Sequence, residues 1–252
     1  MILVLLAIAQ NLADGIQAVE AGRLDEAERI LSAVVGRHSD SFEASFYLGL
    51  VHFRQNRSAA ARPLLERAVS LSPANAEAWK LLGLATMSSG DLEGATPALA
   101  KACELAPSDD EACYYFARDL HALGRYEAAR EPFERALRAA SKAMLPKVHR
   151  AIALNFAALG SPAEAEPHFV EAVRLTGRVA GKDGDPRVDY GAFLFRQGRT
   201  EEALRPLEQA ARDVPSSARA NAEWGRVLLQ LGRLDLAAAC LEKAVALEPG
   251  NW

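Results

Sequence analysis

Cysteine is scarce in this chain: Cys103, Cys113 and Cys240 are the three in 252 residues, and no two form a CxxC pair. So few exclude a disulfide-dense scaffold, and their spacing excludes a zinc ribbon or a dithiol redox motif. They read as small core residues. An excess of positive charge is lacking too, since 29 Lys and Arg face 33 Asp and Glu for a formal charge of −4. That removes the electrostatic footing of general nucleic-acid binding. Long apolar runs are missing, the longest being Ile2 to Ala9, less than half of what a helix needs to cross a bilayer.

Recognisable chemistry is equally thin. The histidines, His38, His52, His121, His149 and His168, form no HExxH and lie near no cysteine, although His149 and His168 are placed to meet across one helix pair. No metal and no cofactor are expected on that ground. No GxSxG or comparable nucleophile motif occurs, and the carboxylates are scattered over helix faces, so the chain reads as non-enzymatic. Gly177-Arg-Val-Ala-Gly-Lys-Asp183 approaches a phosphate-binding loop. It is one residue short, ends in Asp, and follows a helix instead of a strand, so a solvated loop accounts for it.

What is present is a period. Turn positions fall at Gly22, Asn56, Gly90, Gly124, Gly160, Gly198 and Gly232, spaced by 34, 34, 34, 36, 38 and 34 residues. Five residues after each turn stands an alanine, from Ala27 to Ala237, and nine after it a large apolar residue: Leu31, Leu65, Leu99, Phe133, Phe169, Leu207 and Leu241. Seven before it stands a small one: Gly15, Gly49, Gly83, Ala117, Ala153, Gly191 and Gly225. These spacings trace single helical faces. Stops follow at Pro73, Pro107, Pro215 and Pro249, so each period is helix, turn, helix. Pro63, Pro97, Pro132, Pro167 and Pro206 fall inside second helices, where a missing backbone donor predicts mild bends. The stretch TGRVAGKDGD between Leu175 and Pro186 predicts a longer, flexible surface loop.

The copy Trp79, Leu82, Gly83, Gly90, Ala95, Leu99, Ala102 and Pro107 resembles the tetratricopeptide repeat, a 34-residue helix–turn–helix unit. The resemblance extends over 8–41, 42–75, 76–109, 110–145, 146–183, 184–217 and 218–252. It implies an all-α fold, an alpha-alpha superhelix of antiparallel helix pairs forming a single solenoid with a concave groove. It also implies a protein-interaction scaffold or adaptor that binds a peptide or protein partner.

The resemblance further implies that the fifth, ninth and twelfth positions of each first helix face the groove. These are Phe46, Leu50 and Phe53; Lys80, Leu84 and Met87; Tyr114, Arg118 and His121; Arg150, Leu154 and Ala157; Val188, Ala192 and Phe195; and Ala222, Arg226 and Leu229, with Arg54 and Arg196 one step beyond. Aromatic and basic side chains in one stripe suit a peptide with apolar and acidic side chains. The competing expectation is that Phe46, Tyr114 and Phe195 partly pack between repeats while the arginines pair with local Glu43, Glu77 and Glu111. A carboxylate-clamp asparagine is absent from the ninth position, where Leu50, Leu84 or Arg118 stands.

The ends leave alternatives open. Met1–Ala9 reads MILVLLAIA, either the remnant of an export signal, which would place the protein in the periplasm, or apolar cover for the first repeat of a cytoplasmic one. No cysteine follows that would support a lipid anchor. Leu247-Glu-Pro-Gly-Asn-Trp252 completes a repeat without a polar capping helix, which admits self-association through exposed solenoid ends or a longer native chain. Besides the adaptor, the repeats therefore fit a substrate-recruiting module of a larger enzyme, or a self-assembling structural solenoid. Bacterial origin is suggested by the preference for arginine over lysine.

Overall fold

The structure is a computed structural model that describes residues 2–176 and 184–250, with backbone only for residues 2–9. The phosphate-loop comparison and most of the expected long loop lie outside the described residues. The chain divides into two compact units, Met1–Ala139 and Ala140–Trp252. Unit 1 holds α1 (Ile2–Glu20), α2 (Leu24–Arg37), α3 (Phe42–Arg54), α4 (Ser58–Leu71), α5 (Ala76–Ser88), α6 (Leu92–Leu105), α7 (Ala112–Ala122) and α8 (Arg130–Ala139). Unit 2 holds α9 (Leu145–Ala158), α10 (Pro162–Thr176), α11 (Pro186–Arg196), α12 (Thr200–Asp213), α13 (Ala218–Gln230) and α14 (Leu234–Leu247). Among the described residues there is no strand, and the fold is the all-α helical repeat that the period predicts.

Each odd helix turns into its even partner through one left-handed residue. The six turn glycines have φ between 72° and 89°, and Asn56 adopts the same conformation at φ 59°. Asparagine tolerates this region better than other side chains. Several odd helices are closed by a side-chain cap: Ser41, Asn75 and Ser217 accept from the backbone N–H three residues on, at 3.2, 2.9 and 3.1 Å. Asp185 accepts from Arg187 N–H at 2.9 Å. Most even helices need no such cap, because the tight turn delivers the chain directly into them.

The pairs close on a small-against-large contact. A Cβ built on Gly83 would lie 2.5 Å from Leu99 Cδ2, and on Gly191 2.4 Å from Leu207 Cγ. Gly15, Gly49 and Gly225 stand in the same relation to Leu31, Leu65 and Leu241. Where the small residue is alanine, at Ala117 and Ala153, the large residue sixteen positions on is Phe133 or Phe169, each nearly sealed from solvent at 2% and 0% exposure. Glycine is thus paired with leucine and alanine with phenylalanine. The residues five and twelve after each turn, all alanine except Val34, are buried as well.

Two expectations need adjustment. Cys103 and Cys113 are joined in a disulfide, and only Cys240 is a free, buried thiol. The end of α6 and the start of α7 are antiparallel neighbours, and that brings the two sulfurs together. Pro132 lies in the first turn of α8, whereas Pro63, Pro97, Pro167 and Pro206 are inside their helices.

Candidate functional site on the inner helices

Within each unit every even helix packs on its own odd partner. The odd helices also touch one another, α1 with α3, α3 with α5 and α5 with α7 in unit 1, and α9 with α11 and α11 with α13 in unit 2. They therefore form an inner layer, and the expected stripe lies on them.

Burial changes systematically along that stripe. At the fifth position Lys80, Tyr114, Val188 and Ala222 are buried. Val188 belongs to the core around Phe169, Phe193 and Leu207. These residues are corrected from surface candidates to packing residues. The bases at this position reach toward the start of the next odd helix and find acids there. Lys80 Nζ lies 2.8 Å from Glu77, 3.1 Å from Asp109 and 3.3 Å from Glu111. Burial alone would lower the Lys80 pKa, yet Glu77 and Asp109 hold it well above the ordinary lysine value. Arg150 is bound the same way to Asp189, which is 2% exposed and also accepts from Arg219 at 2.5 Å. The fifth-position bases are staples between consecutive inner helices.

The ninth and twelfth positions remain open apart from Ala192, which is buried and is likewise corrected to a packing residue. Leu50, Phe53, Leu84, Met87 and His121 in unit 1 are half-buried, and so are Leu154 and Phe195 in unit 2. Phe46 is half-buried too, with its ring stacked on Phe42 at 5.6 Å. Phe46, Leu50 and Phe53 pack against the core around Leu81 and Leu82. Arg54, Arg118, Arg196, Arg226 and Leu229 are exposed. Arg54 donates to the Val19 carbonyl at 3.3 Å, and Arg226 lies 3.5 Å from Glu223. The Arg118 guanidinium sits 5.6 Å from the centroid of the Tyr114 ring, within cation–π range. Of the three glutamates expected to neutralise arginines, Glu77 and Glu111 pair with Lys80 instead, and Glu43 accepts from Ser41 Oγ at 3.5 Å.

Several buried polar groups were not singled out by the sequence. Arg187, 5% exposed, binds Asp185 at 2.7 Å and Asp213 at 2.5 Å, and Asp185 first and then Asp213 raise its pKa. Asp119 is fully buried, accepts from Thr96 Oγ1 at 2.6 Å, and leaves Oδ1 without a hydrogen-bond partner. Desolvation pushes its pKa up. The available signal was a charge at the position five before the turn, which the other repeats fill with uncharged residues: Gln17, Val51, Ala85, Asn155, Phe193 and Val227. His149 and His168 do meet, Nδ1 to Nδ1 at 2.9 Å, and burial lowers the pKa of both. Among the described residues no group of three or more His, Cys, Asp or Glu could hold a metal ion. No helix among them is long and apolar enough to cross a membrane.

Sequence profiles of the tetratricopeptide repeat match residues 12–76, 52–110 and 194–251, and a second such profile matches 112–139, together more than half of the chain. Among solved structures, MamA MSR-1 C2 is 30% identical, with 69% of this chain and 99% of that one covered at a TM-score of 0.61. MamA AMB-1 P212121 is 27% identical over 69% of this chain and 94% of its own, again at 0.61. YrrB, a TPR protein with an unusual peptide-binding site, shares the fold at 24% identity and a TM-score of 0.55, covering 74% of this chain and 93% of its own. No curated protein sequence matches the chain. The repeating turn, the glycine–leucine contact and the profile matches agree: the chain belongs to the tetratricopeptide repeat family and is a protein-interaction scaffold.

Proposed function

We propose that the inner face of unit 1 binds an extended or helical segment of a partner protein that carries acidic and apolar side chains, and that the chain performs no chemistry on it. The observation that carries this reading is Arg118. Its guanidinium is exposed, has no ion-pair partner among the described residues, and rests on Tyr114 in α7, which packs next to α5 with its half-buried Leu84 and Met87. An unpaired cation next to exposed apolar surface suits a carboxylate flanked by apolar groups. YrrB, which shares the fold, is described as having a peptide-binding site. The absence of catalysis is supported by the pairing of the buried bases Lys80 and Arg187 with acids, which leaves neither free for proton transfer. In unit 2, α11 carries an exposed Arg196 and a half-buried Phe195.

The test is selection from a random peptide library on the intact chain. Enrichment of sequences that combine Asp or Glu with aliphatic or aromatic residues supports the proposal, and enrichment of basic or purely polar sequences contradicts it.

A second reading, association between two copies, rests on α13 and α14, where Leu229, Leu234 and Leu236 are 53%, 61% and 54% exposed. Light scattering across a dilution series would show a dimer that Leu236→Glu dissociates. A monomer at every concentration removes this reading.

A further inference from the structure

In unit 1 a cleft of about 240 Å³ opens beside the last turns of α2, and its lining includes Asn11 from α1 with Arg29, Ala33, Arg37 and His38. We propose that this cleft binds a phosphate group, free or carried by a small molecule. The two arginines share one cleft and are both without a partner among the described residues, whereas many arginines of unit 1 are paired. Arg23 pairs with Glu26, Arg57 with Glu28, Arg62 with Glu66, Arg125 with Glu93 and Arg130 with Glu127. Arg29 and Arg37 are exposed and have neither an ion pair nor a hydrogen bond among the described residues. The acids of their own helix are engaged elsewhere, Glu26 by Arg23, Glu28 by Arg57, and Asp25 by Gln55 at 3.2 Å.

Spacing makes the two guanidiniums a pair. Arg29, Ala33 and Arg37 follow one another at intervals of four, on one face of α2. The backbones of the two arginines are about 12 Å apart along the axis, and Ala33 leaves the space between them open. Favourable interaction with the helix C-terminus explains Arg37. It does not explain Arg29, two turns earlier, or the amide of Asn11 across the cleft. Every polar side chain named in this lining can donate a hydrogen bond.

The ligand's chemistry follows from those donors. A guanidinium presents a planar fork that takes two oxygens of one anion. A single carboxylate has two oxygens and satisfies one fork. A phosphate has three or more peripheral oxygens, carries close to two charges, and accepts two forks on different edges together with the Asn11 amide.

The experiment is calorimetric titration of the full chain with inorganic phosphate, pyrophosphate and citrate, in buffer free of other multivalent anions. The variants are Arg29→Gln, Arg37→Gln and their combination. Arg67→Gln is the control, removing an arginine of unit 1 outside the cleft that is equally without a partner. Saturable binding of phosphate or pyrophosphate, weakened about tenfold by either cleft variant and unaffected by Arg67→Gln, is expected. Unchanged circular dichroism keeps any loss from being assigned to unfolding. Tighter binding of inorganic phosphate than of pyrophosphate identifies the free ion as the fit, and the reverse order identifies a phosphate within a larger molecule. The proposal is overturned by no binding at millimolar concentration, by equal loss in Arg67→Gln, or by citrate binding as tightly as either phosphate probe.

Discussion

Replacing Gly83 with alanine tests the glycine–leucine contact that closes each pair of helices. Two effects oppose each other. Alanine is better than glycine inside a helix by about 1 kcal/mol. The added Cβ, however, would stand 2.5 Å from both Leu99 Cδ2 and Cγ, and 3.2 Å from the Leu99 backbone nitrogen. Carbon atoms rest about 3.5–4.0 Å apart, so Leu99 or α6 must retreat by roughly an ångström. Leu99 is fully buried, and overpacking of this kind costs about 1–3 kcal/mol, occasionally more. The cost exceeds the helix gain, and Gly83→Ala is expected to destabilise unit 1 by about 1–2 kcal/mol. Gly36 supplies the internal comparison. It lies inside α2 with no atom within 4 Å of its built Cβ, so Gly36→Ala should stabilise by about 0.5–1 kcal/mol. Urea denaturation followed by far-ultraviolet circular dichroism measures both. A Gly83→Ala protein as stable as the parent would refute the reasoning, because the contact would then be slack.

Four further outcomes follow from the same structure. Reducing the Cys103–Cys113 disulfide, which closes a short loop, should lower stability by about 2–3 kcal/mol; dithiothreitol should shift the urea midpoint of the parent but not of Cys113→Ala. Asp119 has a pKa raised above its ordinary 3.8, so the folded state holds its proton longer than the unfolded state, and its contribution to stability is lost as pH rises through the folded value. Asp119→Asn should therefore raise the melting temperature near neutral pH and have little effect near pH 3, and equal shifts at both would contradict this. Asp189→Ala leaves Arg150 and Arg219 without their shared carboxylate and should destabilise unit 2 by about 3 kcal/mol in urea denaturation. His149 and His168 have pKa values depressed below 6.5 by burial, so they contribute stability above that value that is lost on acidification. The fall in melting temperature between pH 7 and 5 should shrink when both are replaced by glutamine.

How much of this could be read from the sequence depends on the range of the interaction. The turn positions and the glycine–leucine pairs lie sixteen residues apart or fewer, inside one helix pair, and the seven-fold recurrence makes them visible in a single chain. Asn56 reads as a turn residue only because its period does. The disulfide was not legible, since its formation depends on how α7 is rotated against α6, and three cysteines offer no pattern to choose a pair. The candidate site was legible as a stripe but not as a surface. Spacing places Lys80, Arg118 and Arg150 on one helical face without distinction. What separates them is position: Lys80 and Arg150 stand at the fifth position, where the next inner helix of the same unit brings Asp109 and Glu111 to one and Asp189 to the other. Arg118 stands at the ninth position and has no ion-pair partner among the described residues. The buried Arg187 with Asp185 and Asp213 follows the same logic, an ion pair assembled from residues 26 apart that no local motif announces.

The central claim is that the inner face of unit 1 recognises a polypeptide through Arg118 and the apolar side chains around it. The most direct measurement is the calorimetric affinity of a selected acidic–apolar peptide for the parent and for Arg118→Glu, with Arg67→Glu as an equal change of charge outside the inner stripe. Arg118 is exposed, so the substitution tests contact without opening a cavity, as truncating buried Tyr114 would. The account predicts a loss of at least about tenfold for Arg118→Glu and little change for Arg67→Glu. Equal affinity of all three proteins would contradict it and place the peptide's contacts away from the inner face of unit 1.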